Sequence, residues 1–305
     1  MYRLGKRVLS QYIRTGCRRR LRLDLYRGVE DRRAADVPEK DAGRPGLALL
    51  VRQGKDYERA KYRELEEVFG DLTVRGDLRP HEADEDRAFE SIDLETVIDG
   101  LEPHQLVLEA QYPITNSFRL AHDLTDLENG TAIVDGETLS FDELRPDILQ
   151  VQPPVPEEGR RILTPSGSLV RLDAHDERLG LRVIDIKIAG EPSPSHFSEL
   201  AYYGMALAGW LEDTGHSERF VVLAEAAIWP GAHDGSTIRR YLLEDRAAGL
   251  PRLDLGRYLG GLDADLEPMP PEVVLGRVQR FLRFDLRQVF SEPDWRALDW
   301  HIDNL

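Results

Sequence analysis

The chain has 305 residues, 41% hydrophobic and 31% charged, with a formal net charge of −16. It is long enough for one large core or two smaller ones, and no apolar run approaches the roughly 20 residues that cross a bilayer. Its acidity argues against a protein that coats nucleic acid by neutralising many phosphates, and its one cysteine, Cys17, excludes a disulfide framework or a four-cysteine metal site built from this chain alone.

The charge is uneven. Residues 1–33 hold eleven Lys and Arg against three Asp and Glu, a net of +8, which leaves −24 for the other 272 residues. The first ten residues carry basic side chains but no apolar core ahead of a small-residue cleavage site, so a secretory leader is not expected and a cytoplasmic location is. Leu4, Val8, Tyr12 and Ile13 have helical spacing, which predicts an amphipathic helix over 4–26 with a basic end at Arg18-Arg-Arg20. Residues 31–46 are polar and carry Pro38, Gly43, Pro45 and Gly46, as a loop does. A second helix is predicted from Gly54 to Phe69, stopped by Gly70. The acidic stretch 82–99 reads as helix and connector.

From residue 105 the pattern becomes that of strands. A strand over 105–114 is followed by an expected hairpin, Thr131–Val134 and Glu137–Leu139 around Asp135-Gly136. Further strands are predicted at 147–151, 168–172 and 181–188, with a Pro- and Glu-rich insertion at 153–166. A helix capped by Ser193 or Ser195 spans 194–211, a nearly continuous apolar run over 220–229 has the look of a buried strand, and 272–290 is helical. The order implies one α/β domain over 1–305, a mixed central sheet flanked by helices. Within it, 1–53 form an N-terminal helix and loop, 54–235 a core, and 236–305 a C-terminal helical extension.

Side chains two apart on a strand share a face, so Asp185 and Lys187 in Leu181-Arg-Val-Ile-Asp-Ile-Lys-Ile188 point the same way. Phosphodiester hydrolysis needs carboxylates for a divalent cation, an activated water, and positive charge near the phosphoryl oxygens. Alone, an Asp-x-Lys triplet is a weak signal, common by chance on strands, for which an exposed salt-bridged pair is the ordinary reading. Its companions add weight: Arg145-Pro-Asp147 opens an earlier strand, Glu58 lies on the helix before it, and Glu199 and Tyr203 lie one turn apart on the helix after it.

Helix Glu, strand Asp, strand Asp-x-Lys and following helix resemble the RecB-like branch of the PD-(D/E)XK nucleases, which includes CRISPR-associated RecB-like exonucleases. Leu9-Ser-Gln-Tyr-Ile-Arg-Thr-Gly-Cys17 resembles the family's opening Ser…Cys helix. Gly54 with Glu58 resembles its Gly-x-x-x-His/Glu helix, Pro146-Asp147 its first strand motif, and Asp185-Ile-Lys187 its second. Glu199-Leu-Ala-Tyr-Tyr203 stands where the family has Gln-x-x-x-Tyr, and Glu for Gln at 199 departs from that pattern, because a carboxylate facing phosphate repels unless a cation intervenes.

The resemblance implies a restriction-endonuclease-like fold and a DNA nuclease dependent on Mg or Mn. Glu58, Asp147 and Asp185 would be its metal ligands, Lys187 would position water and stabilise charge, and Tyr203 and Glu199 would lie along the substrate. Asp173, 12 residues before Asp185 where Asp147 is 38 before, is the alternative to Asp147. Arg18 and Arg19 are candidate phosphate contacts or a solvated helix end. The family also implies a helicase or ATPase partner, or a role in DNA repair or anti-phage defence; the chain has no nucleotide-binding Gly-x-x-x-x-Gly-Lys-Ser/Thr loop. Some members bind an iron–sulfur cluster through four cysteines, which Cys17 cannot supply alone. A nuclease acting on RNA, and an inactive binding or scaffolding module on the same fold, are the competing readings. Of eight histidines, His175 and His196 lie nearest the proposed centre and read as solvated or capping residues.

Overall fold

The computed structural model of the chain describes residues 1–26, 28–38, 46–77, 90–154, 159–231, 235–249 and 254–300. It opens with strand β1 (Tyr2–Leu4) and helices α1 (Lys6–Thr15) and α2 (Arg18–Leu25). The single helix expected over 4–26 is therefore two. Gly16 turns left-handed at φ +62° with its N–H on the Tyr12 carbonyl, and the Cys17 sulfur then accepts the Arg20 N–H to start the second helix. Helix α3 (Val29–Ala34) occupies part of the expected loop, whose residues 39–45 lie outside the described ones. Helix α4 (Leu47–Phe69) starts ahead of Gly54 and ends, as expected, at Gly70.

After β2 (Thr73–Val74), the described part of the acidic stretch forms β3 (Ile92–Asp93) and α5 (Leu94–Val97); residues 82–89 of that reading lie outside the described ones. The strand expected over 105–114 is divided into β4 (Leu106–Leu108) and β5 (Ala110–Gln111) by Glu109, whose φ of +53° interrupts the pleat. Helices α6 (Asn116–Ala121) and α7 (Thr125–Glu128) follow. The expected hairpin is absent: Ala132 and Ile133 fold back onto the Asp126 and Gly130 carbonyls, so 131–134 curl into turns. The second arm becomes β6 (Leu139–Phe141), which pairs in parallel with β1 instead.

Strand β7 (Ile148–Gln152) matches expectation, and the 153–166 insertion supplies β8 (Arg161–Leu163), the partner of β9 (Leu169–Arg171). Next come β10 (Leu179–Lys187) and α8 (Pro194–Thr214), capped by Ser193. The apolar run over 220–229 is broken into β11 (Phe220–Val222) and β12 (Ala227–Pro230). Both lie parallel to β10, with Leu179 opposite Phe220 but Ile184 opposite Ala227, so two extra residues bulge between them. Helices α9 (Thr237–Ala248) and α10 (Leu255–Ala264), strand β13 (Glu267–Pro268), and helices α11 (Pro271–Arg280) and α12 (Leu286–Phe290) complete the chain, the last two joined through a π-helical turn.

The central sheet is open and mixed, in the order β13-β12-β10-β7-β4-β2, with β7 antiparallel to both neighbours. It is buried on both sides, so its strands read as near-continuous apolar runs. Val107, Leu149, Val151, Leu181 and Val183 share one cluster with Val8 and Leu9 of α1, the apolar length of α8, and Val274 and Val278 of α11. The alternate residues Leu106, Leu108, Ile148, Ile184, Ile186 and Trp229 pack with Tyr62, Leu65 and Phe69 of α4 and with Ile238 and Leu262 of α9 and α10. The result is helices on both faces of a sheet. Helix α8 lies close to α6: a Cβ on Gly209 would meet the Phe118 backbone nitrogen at 2.9 Å. No described helix is long and apolar enough to cross a membrane.

Candidate active site

Asp185 and Lys187 fall on the face of β10 that carries Leu181 and Val183, toward α1 and α8. Asp147 immediately precedes β7, on the same face as Leu149 and Val151. The β7–β10 register pairs Ile148 with Ile184, and one step further sets Asp147 opposite Asp185. The β4–β7 register pairs Leu108 with Ile148 and so sets Glu109 on the other side of Asp147, where its N–H donates to the Asp147 carbonyl at 2.9 Å. Three acids thus occupy one row across three neighbouring strands, at the end of the paired region. Glu58, on α4, is within electrostatic reach of this row.

Crowding carboxylates in a buried place raises their affinity for protons. Glu58 is pushed up to about 7 by burial, then by Glu109 and Asp185, against Lys6 and Lys187. Asp147 is held well above the usual carboxylate range by burial and then by Asp185 and Glu58. Asp185 goes the other way although it is wholly buried: burial opposes its charge, but Lys187, Lys6 and a hydrogen bond from Asp147 outweigh that cost. Of the two aspartates, Asp147 is therefore the more readily protonated and Asp185 the more readily charged. The Asp147 carboxylate also accepts the Ile186 N–H at 2.5 Å, which fastens it to β10.

Lys187 contacts Asp185 directly and reaches Glu199 of α8 at 3.1 Å. Burial disfavours its charge, but Asp185 and Glu199 keep it firmly protonated. The departure at 199 thus places a carboxylate on the Lys187 ammonium, the cation that its position requires. Tyr203 is wholly buried, and its hydroxyl donates to the Arg145 carbonyl at 2.9 Å, tying α8 to the turn that presents Asp147. His196 accepts the Ser193 N–H through Nδ1 in the α8 cap, and His175 is exposed in a turn.

Other expected residues lie elsewhere. Asp173 is exposed in the turn after β9, accepting the His175 N–H, so the structure brings Asp147 and not Asp173 to the pair. Arg18 and Arg19 face the C-terminal segment: Arg18 pairs with Asp299, and Arg19 donates to the Leu298 carbonyl at 2.9 Å and lies over the Trp300 ring. Cys17 is buried as the α2 cap. Two members of the constellation were not singled out in the sequence. Glu109 ends the apolar run Leu106-Val-Leu108 much as Asp147 begins one, which is a signal of sorts. Its carboxylate is met by Arg145 at 3.1 Å. Lys6 had no local signal; it reaches Asp185, Glu199, Asp147 and Glu58 only through the fold.

Among the described residues no three His, Cys, Asp or Glu side chains are arranged as a ready-made metal cage. The chemistry of the cluster still suits a divalent cation. Both oxygens of Asp185 are buried beside Asp147 and Lys187, and the acids repel one another unless a proton or a cation intervenes. The chain matches no protein-family model, and no curated protein and no solved structure matches it either.

Proposed function

We propose that the chain is a metal-dependent nuclease that hydrolyses DNA phosphodiester bonds, on a restriction-endonuclease-like core. The observation that carries this reading is the row of acids with Asp147 opposite Asp185, backed by Lys187 on the same strand and Glu58 on the helix before it. The order α4, β7, β10, α8 and β12, with β10 parallel to β12 and antiparallel to β7, supports the same reading.

Glu58, Asp147 and Asp185 would hold Mg or Mn, which when bound supplies Lewis acidity toward a phosphoryl oxygen and makes a water acidic enough to attack near neutral pH. Binding would favour the ionised forms of Asp147 and Glu58, whose affinity for protons is raised in the cluster, so metal uptake would be coupled to pH. Lys187, fixed between Asp185 and Glu199, orients the attacking water and offers its ammonium to the charge that grows on the phosphate. Glu199 acts through Lys187 by holding it in place. Tyr203 acts through the Arg145 carbonyl, steadying the strand that carries Asp147.

A second reading is a binding or scaffolding module that keeps the fold without catalysis; the absence of a ready-made three-ligand cage among the described residues favours it. Titration calorimetry with Mn separates the two. The nuclease reading expects binding to the wild type that is lost, by at least tenfold in affinity, in Asp185→Asn. Heat that is absent, or unchanged by that substitution, supports the module.

A further inference from the structure

Lys6 stands in the first turn of α1 with its ammonium 5.0 Å from the centre of the Tyr203 ring. Four acids of the centre, Asp185, Glu199, Asp147 and Glu58, keep it charged against the effect of burial. Yet among the described residues it makes no ion pair and no hydrogen bond. It lines a cavity of about 360 Å³ together with Arg3, Arg7, Gln111, Arg145 and Tyr203. The two acids on the cavity wall are already engaged, Asp142 by Arg3 and Glu143 by Gln111, and Arg145 is engaged by Glu109. Lys6 and the exposed Arg7 are the cations left uncommitted on this wall among the described residues.

A phosphate approaching four carboxylates is repelled unless fixed cations stand between, and the cavity adjoins them through Lys6 and Tyr203. Its volume lies at the small end of the range for ligand pockets and has room for a nucleotide unit of one strand. We propose that this cavity receives the sugar–phosphate backbone of a single nucleic-acid strand beside the bond to be cut, with Lys6 on a non-bridging phosphate oxygen and Arg7 on the neighbouring phosphate. The inference rests on reading the centre as a nuclease, and it adds a substrate-binding residue from α1, far from the other elements in sequence.

The test measures fluorescence anisotropy of a short fluorescein-labelled DNA strand, with Ca in place of Mg to hold back hydrolysis, over a range of salt. Lys6→Met is expected to weaken binding roughly tenfold and Arg7→Ala less, each lowering the salt slope by about 0.7, the value for one lost phosphate contact on a single strand. Lys6→Arg should retain both affinity and slope. A parallel cleavage assay in Mg on the wild type separates the two claims. Wild-type binding that depends on Lys6 and Arg7 without cleavage leaves this surface standing and removes the nuclease. Cleavage with binding and slope unchanged in Lys6→Met and Arg7→Ala overturns the surface alone. No binding by the wild type overturns both. The exposed Arg7 variant keeps the test decisive should Lys6→Met fold poorly.

Discussion

Asp147 and Asp185 lie opposite each other on adjacent strands, and Glu58 is close enough to act on both electrostatically. The price of that arrangement is a pH dependence of stability whose sign follows from Glu58. Its folded value of about 7 lies above the ordinary 4.5, so the folded chain binds the proton more tightly than the unfolded one. The stability this gives is fully present below pH 4.5 and lost as pH rises through 7. Glu58→Gln, which cannot ionise, should therefore be more stable than the wild type at pH 8 in chelator, by up to about 3 kcal/mol. The two should converge near pH 4.5. Urea unfolding at the two pH values reads the difference directly. Equal stabilities at pH 8 would show that burial and the neighbouring acids do not hold Glu58 above its ordinary range.

At the level of elements, the site depends on α8 holding β7 in place. The Tyr203 hydroxyl is spent on the Arg145 carbonyl, and Tyr112 returns the tie by donating to the Tyr203 carbonyl at 3.0 Å. Tyr203→Phe leaves the part-buried Arg145 carbonyl without its donor, which costs about 1 kcal/mol. It is expected to lower the turnover of a nuclease more than its substrate affinity, because the aspartate shifts while the cavity wall keeps its ring. A loss confined to affinity would make Tyr203 a substrate contact instead. The helices and strands around this tie were largely legible: the cap at Ser193, the stop at Gly70 and the buried runs at 148–152 and 179–187 follow from local chemistry. The failures have local physical causes. Gly16 and Cys17 divide a periodic helix that hydrophobic spacing alone cannot interrupt, and Glu109 breaks a strand through a backbone conformation that a glutamate does not advertise. At Asp135-Gly136 the turn was visible, but its arms pair elsewhere, with Leu139–Phe141 taken up by Tyr2–Leu4 across most of the first half of the chain.

For the molecule as a whole, the sheet gathers residues from positions 6, 58, 109, 147, 185, 187 and 199 into one electrostatic unit. Five of these have a signature in sequence: an acid on a helix, an acid after proline, an Asp-x-Lys on a strand, and a glutamate one turn before a tyrosine on the following helix. Lys6 and Glu109 have none that is specific, because their membership depends on where α1 and β4 pack. The acidic surface and the basic N-terminus also take on a different meaning in three dimensions. Arg18 and Arg19 hold the C-terminal segment, whereas Lys6 and Arg7, from the same basic stretch, face the cavity beside the acids. The most direct test of this account is cleavage of single- and double-stranded DNA by purified protein in Mg or Mn, beside Asp185→Asn and Lys187→Ala. The account predicts metal-dependent cleavage by the wild type that falls at least a thousandfold in both variants. Cleavage absent from the wild type, or undiminished in Lys187→Ala, would contradict it.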